Sequence, residues 1–134
     1  MPALEVSDLH EYAVLWVKHG TNRQGDPVLR YPQQVPARWS RTRRQSTDAK
    51  GQVVATDADV AIAYCGDEEL EGSLVWDGKI SEVPGTADPP TPTSGLYEVV
   101  GGRAARDVKG RSLRRELRLA RFNDTMPTVV DALS

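Results

Sequence analysis

Three features of the chain predict an all-β fold in one small domain. Eleven glycines and nine prolines in 134 residues cluster at 20–36, 84–95 and 101–110. Valine-rich runs of strand length lie between those clusters, a spacing that suits strands and turns better than alternating strands and helices. The run 52–65 alternates with period two: Ala58, Val60, Ile62 and Tyr64 share one face, and Asp57 and Asp59 the other. A domain of this length buries roughly two-thirds of its unfolded surface, enough for one small core.

The elements follow in order. Residues 11–18 are apolar on both faces and read as a fully buried strand. Gly20 to Pro27 is a turn region built on Asn22 and Gly25-Asp26. Residues 35–46 and 52–65 form the two arms of a long hairpin with its tip at Ser46 to Gly51. Arginines of the first arm face the aspartates of the second across the strands. Gly66 to Gly72 encloses Asp67, Glu68, Glu69 and Glu71 and is too short for a stable helix. Asp77-Gly78 between apolar flanks signals a hairpin.

Residues 84–95 hold too many prolines for ladder or helix, so they form a long irregular loop. Leu96 to Val100 is a strand, and Gly101-Gly102 permits a bulge or bend. In 111–122 Leu113 and Leu117 fit helical spacing, whereas Leu113, Leu117 and Leu119 share strand parity opposite Arg114, Glu116, Arg118 and Ala120. The β context decides for a strand. Residues 123–134 lack a pattern and form an ordered or frayed tail. Trp39 and Trp76 are expected in the core.

Formal net charge is −2, but its distribution is uneven. Residues 23–50 carry seven basic and two acidic side chains, and 103–121 carry eight and two. Residues 57–98 carry ten acidic and one basic. Blocks of opposite sign suit head-to-tail contact between copies, or a surface that meets something anionic. Arg38, Arg41, Arg43 and Arg44 are the candidate contacts for DNA or a partner. Asp67, Glu68, Glu69 and Glu71, with Pro89, Pro90 and Pro92, are the candidate lumen or docking loops.

Chemistry-bearing motifs are not found. Cys65 is the only cysteine, which precludes an intrachain disulfide and a cysteine-based zinc site; it reads as a small buried hydrophobe. His10 and His19 flank the first strand and read as surface residues. No serine sits in a nucleophile elbow, no glycine-rich segment has a Walker or dinucleotide pattern, and 67–71 lacks calcium-loop spacing. The expectation is a protein that is not an enzyme and uses no cofactor or metal. Residues 1–20 hold Glu5, Asp8 and Glu11 with no basic stretch leading into an apolar one, unlike a secretory signal. No run reaches the ~18 apolar residues of a span, so no membrane partner is expected and the chain reads as soluble and intracellular at synthesis.

A series of short motifs carries a family resemblance across residues 11–122. It begins with Val35-Pro36-Ala37-Arg38-Trp39, Gly51, Asp57-Ala58-Asp59-Val60, Gly66 and Leu74. It continues with Leu96-Tyr97-Glu98-Val99-Val100, Asp107-Val108-Lys109-Gly110 and Arg118-Leu119-Ala120-Arg121-Phe122. In this order the chain resembles the head closure, or head–tail stopper, proteins of long-tailed double-stranded DNA phages. The resemblance implies a small β-barrel, SH3-like or open, with long loops and an extended hairpin. It implies a homo-oligomeric ring, hexameric in the virion, at the neck between head and tail. Its neighbours would be the portal or head–tail adaptor on one side and the tail terminator or tail tube protein on the other. Packaged DNA would fill the channel, and assembly would take place in the host cytoplasm. Two alternatives stand beside it: a tail terminator or tail-joining protein, and a small nucleic-acid-binding barrel.

Overall fold

The computed structural model describes residues 9–40, 44–47, 53–64, 69–83, 90–92, 95–106, 112–122 and 127–130. Residues 48–52, which hold most of the expected tip Ser46–Gly51, lie outside them, as do Cys65, Asp107 to Gly110 and most of the 84–95 loop; Ser46 and Thr47 are strand residues, so the arms pair further than the sequence implies.

Among the described residues there are eleven strands and one short 3₁₀ turn. The strands are β1 (Glu11–Trp16), β2 (Lys18–Thr21), β3 (Pro27–Arg30), β4 (Gln33–Ser40), β5 (Arg44–Thr47) and β6 (Val53–Thr56). Then come β7 (Ala58–Ala63), β8 (Leu74–Asp77), β9 (Leu96–Arg106), β10 (Ser112–Arg121) and β11 (Thr128–Val130). Six of them close an antiparallel barrel in the order β1-β4-β7-β10-β9-β8. Because β1 pairs with both β4 and β8, this small barrel is closed rather than open. Closure leaves no edge within the barrel's paired region.

The long hairpin is present and divides in two. Its barrel half pairs β4 with β7, from Ala37 opposite Ile62 to Ser40 opposite Asp59. Past the barrel the arms pair again as a two-stranded ribbon, Arg44 opposite Thr56 to Thr47 opposite Val53, with the register moved by one residue. The stretch 111–122 is strand β10, paired along β9 from Ser112–Arg106 to Arg121–Tyr97. A register break between Arg118–Gly101 and Leu119–Val99 is the irregularity that the glycine pair allows. From these registers the ribbon leaves one mouth of the barrel and the β9–β10 hairpin the other.

Strand β1 explains the core. Ala13 to Val17 have no measurable exposure because both faces are covered. Ala13, Leu15 and Val17 point into the barrel with Val35, Ala37, Trp39, Val60, Ile62, Val99, Leu117 and Leu119. Val14 and Trp16 point outward into a second cluster with Leu29, Leu74, Val83 and Leu96. Val129 of β11 packs against that cluster. The outer cover is a three-stranded sheet, β11-β3-β2, in which β11 runs parallel to β3. The tail at 123–134 therefore contains a short strand, made not by its own pattern but by the pairing offered by β3.

The Asp77-Gly78 hairpin expectation is corrected. Strand β8 pairs with β1 and β9, and Gly78 leads into a 3₁₀ turn at Ile80–Glu82. Gly78 takes φ 144°, and a Cβ there would lie 2.5 Å from Cζ3 of Trp76, so the glycine makes room for the indole. Trp76 is only partly buried, packed against the second cluster, whereas Trp39 is 7% exposed inside the barrel.

Candidate partner-binding surface

The outward face of β4, β7, β10 and β9 forms a half-open groove of about 550 Å³. Strand alternation puts Arg38 and Ser40, Asp59 and Ala61, and Arg114, Glu116 and Arg118 on it, with Gly102 at its margin. The registers arrange these in rows. Arg38 stands opposite Ala61, and Ala61 opposite Glu116. Ser40 stands opposite Asp59, Asp59 opposite Arg118, and Arg118 opposite Gly101. Directly opposed Cβ atoms in such a sheet are about 4.5–5.5 Å apart. Short side chains and long charged ones thus sit side by side along these rows. Three guanidinium groups against two carboxylates leave one positive charge in surplus among the described lining residues.

Arg118 is held in a particular way. A Cβ on Gly101 would lie 2.4 Å from its Nη2, 3.0 Å from Nε and 3.1 Å from Cζ. The guanidinium therefore occupies the space that a side chain at position 101 would fill. Its Nε is buried and has no hydrogen-bond partner among the described residues.

Other polar groups serve the fold. The backbone N–H of Arg121 donates to Oδ2 of Asp57 at 2.8 Å, and the Asp57 N–H donates to the Leu119 carbonyl at 2.8 Å, joining the start of β7 to β10. Oε1 of Glu11 accepts from the Trp39 N–H at 3.0 Å, serving a donor beyond the β1–β4 pairing. The Trp39 indole donates to the Tyr12 carbonyl at 3.0 Å. Ser73, buried completely, accepts the Lys18 N–H on its Oγ at 2.9 Å. His10 and His19 are exposed, and Arg30 Nε donates to His19 Nδ1 at 3.4 Å.

The residues singled out from the sequence are scattered by the fold. Arg38 is exposed and lines the groove. Arg44 lies on β5 of the ribbon, away from it in the chain pairing, while Arg41 and Arg43 lie outside the described residues. Glu69 is exposed and Glu71 half-buried in the turn before β8; Asp67 and Glu68 lie outside the described residues. Pro89 does too. Pro90 is half-buried and Pro92 buried, so Pro92 is already engaged within its own chain.

Sequence reasoning placed Arg114, Glu116 and Arg118 on one face of β10 and Asp57 and Asp59 on one face of β7. The step it lacked was the registry that sets Arg118 between Asp59 and Gly101. No family model matches the chain, and neither the curated proteins nor the solved structures contain a significant relative.

Proposed function

We propose that this chain is a structural subunit of a phage neck, of the head closure or stopper class. In this reading copies form a ring between the portal or adaptor and the tail, close the DNA channel after packaging and present the surface on which the tail seats. It works without catalysis or cofactor, in the virion, after assembly in the host cytoplasm. The observation that supports it is a closed six-stranded barrel whose β4–β7 hairpin continues past the wall as the β5–β6 ribbon. The ribbon and its surrounding sequence are arginine-rich, as befits an element that meets packaged DNA or an acidic neighbour. The motif series of the sequence supports it as well.

Electron microscopy of lysates from a phage lacking this gene tests the reading. Heads without DNA, accompanied by free tails of normal length, are the expected result. Tails of abnormal length would move the chain to the tail terminator class, and intact virions would refute a neck role altogether. A second reading, a small nucleic-acid-binding barrel, draws on the arginines of the β5 and β9–β10 hairpins. It requires the isolated monomer to bind duplex DNA with affinity falling steeply as salt rises.

A further inference from the structure

We infer that β11 is an exchangeable strand, which leaves its own β3 and seats beside β3 of a second copy. The exchange rests on strand pairing and packing, independently of the neck reading. Repeated head to tail between copies, it builds a ring where the rotation closes.

The seat is made without β11. Its floor is the outward face of the barrel wall, with Val14 and Trp16 of β1, Leu74 of β8 and Leu96 of β9 all buried there. Strand β3 forms its side and contributes Leu29, which has no measurable exposure. The opposite edge of β3 is fixed by antiparallel pairing with β2, and the Arg30 N–H donates to the Val17 carbonyl at 2.8 Å. Departure of β11 therefore leaves an accepting edge at Val28 to Arg30 in place, and an open strand edge is a template for another strand.

The strand itself is held lightly. It spans three residues, Thr128–Val130, and among the described residues it pairs with β3 alone. The pairing is parallel, the weaker ladder per residue. Register sets what the seat accepts: Val129 stands opposite Leu29 and packs against the outer cluster, whereas Thr128 is exposed and Val130 half-buried. No turn ties β11 to β3, because β4 to β10 lie between them in the chain. The barrel end of its connection is anchored by the Phe122 N–H, which donates to the Leu96 carbonyl at 2.9 Å. From there to Thr128 the chain extends at most about 20 Å, twice the roughly 10 Å between packed β layers. Every copy offers the same strand and the same seat, so contacts made between copies repeat those made within one, and exchange has no new interface to build.

Disulfide trapping in the full chain tests this. Val28→Cys and Thr128→Cys are placed in separate chains, each with Cys65→Ala so that no other thiol competes. The two positions are directly opposed in the β3–β11 ladder. Paired strands lie about 4.8 Å apart, within the roughly 4.4–6.8 Å between Cα atoms that a disulfide spans. Mixed and mildly oxidised, the chains are expected to give a 28–128 heterodimer that increases with concentration and exceeds the Thr128→Cys homodimer roughly tenfold. Adding Val129→Asp to the Thr128→Cys chain should lower the heterodimer by a similar factor while circular dichroism keeps the signal of the barrel.

A third chain carrying both cysteines reports the arrangement within one copy. Closure of its disulfide within single chains, with no heterodimer from the mixture, would overturn the exchange and leave β11 a fixed cover of its own barrel. A heterodimer indifferent to Val129→Asp would mark random collision and overturn it too, as would the absence of any 28–128 bridge in either preparation. Intact virions in the deletion lysate would remove the neck and leave a trapped heterodimer standing, and a failed trap would leave the lysate result untouched.

Discussion

Trp39 ties together the two halves of the barrel, and two substitutions separate what it does. Its side chain is 7% exposed, its ring lies 5.7 Å from that of Tyr97, and its indole donates to the Tyr12 carbonyl. Trp39→Ala removes the whole side chain from a closed barrel whose hydrogen-bonded wall resists collapse, so a cost of about 3–5 kcal/mol is expected. Trp39→Phe retains most of the packing and removes the indole donor. The Tyr12 carbonyl keeps a second donor, the Gly78 N–H at 3.3 Å, so that loss should come to about 1 kcal/mol. At this chain length each kcal/mol shifts the melting temperature by about 4 °C, interpolating between smaller and larger domains. Calorimetry and guanidinium titration followed by circular dichroism should therefore place Trp39→Phe about 4 °C below wild type and Trp39→Ala roughly 12–20 °C below. An alanine variant within 1 kcal/mol of wild type would refute the core placement. Equal costs for the two variants would refute the division between packing and hydrogen bond.

Trp76→Ala should cost about 1–3 kcal/mol, less than Trp39→Ala, because Trp76 is only partly buried; the same denaturation series measures the difference. Gly102→Ala should destabilise by about 1–3 kcal/mol, since its Cβ would meet the Glu116 carbonyl oxygen at 2.5 Å and backbone there cannot yield. Gly101→Ala should cost less than Gly102→Ala in the same denaturation series, since the nearest atoms to its Cβ belong to the guanidinium of Arg118, the far end of a flexible side chain that can move aside. Replacing Arg41, Arg43 and Arg44 together by serine should spare folding and impair particle completion, and normal plaque titres from that variant would count against a ribbon role in the neck.

Much of the fold was legible because β periodicity is local. Asp57 and Asp59 against Ala58, Val60 and Ile62 mark which face of β7 is wet, whatever strand lies beside it. Residues 11–18 read as a strand covered on both sides; Ala13 to Val17 are so covered, whereas Glu11, Tyr12 and Lys18 are exposed and Lys18 already begins β2. The nature of the second cover was not legible. It is made by Leu29 of β3 and Val129 of β11, the latter from a three-residue strand too short to carry a pattern. Gly78 departs from its local pattern for a related reason. Asp-Gly between apolar residues describes a hairpin only if the flanking runs pair with each other, and here β8 finds β1 and β9 instead.

The groove divides in the same way. Side-chain alternation along β10 put Arg114, Glu116 and Arg118 on one face, and the glycine pair at 101–102 was visible as a bulge signal. That Arg118 lies on Gly101 and beside Asp59 depends on pairings between strands distant in the chain. Residue type and spacing by themselves determined the all-β class, the long hairpin, the wet and dry faces of its second arm and the segregation of charge. Tertiary structure alone decided the closed barrel, the parallel tail strand and the groove. Their physical cause is strand registry, which is set by how two-sided cores pack and not by any local run of residues.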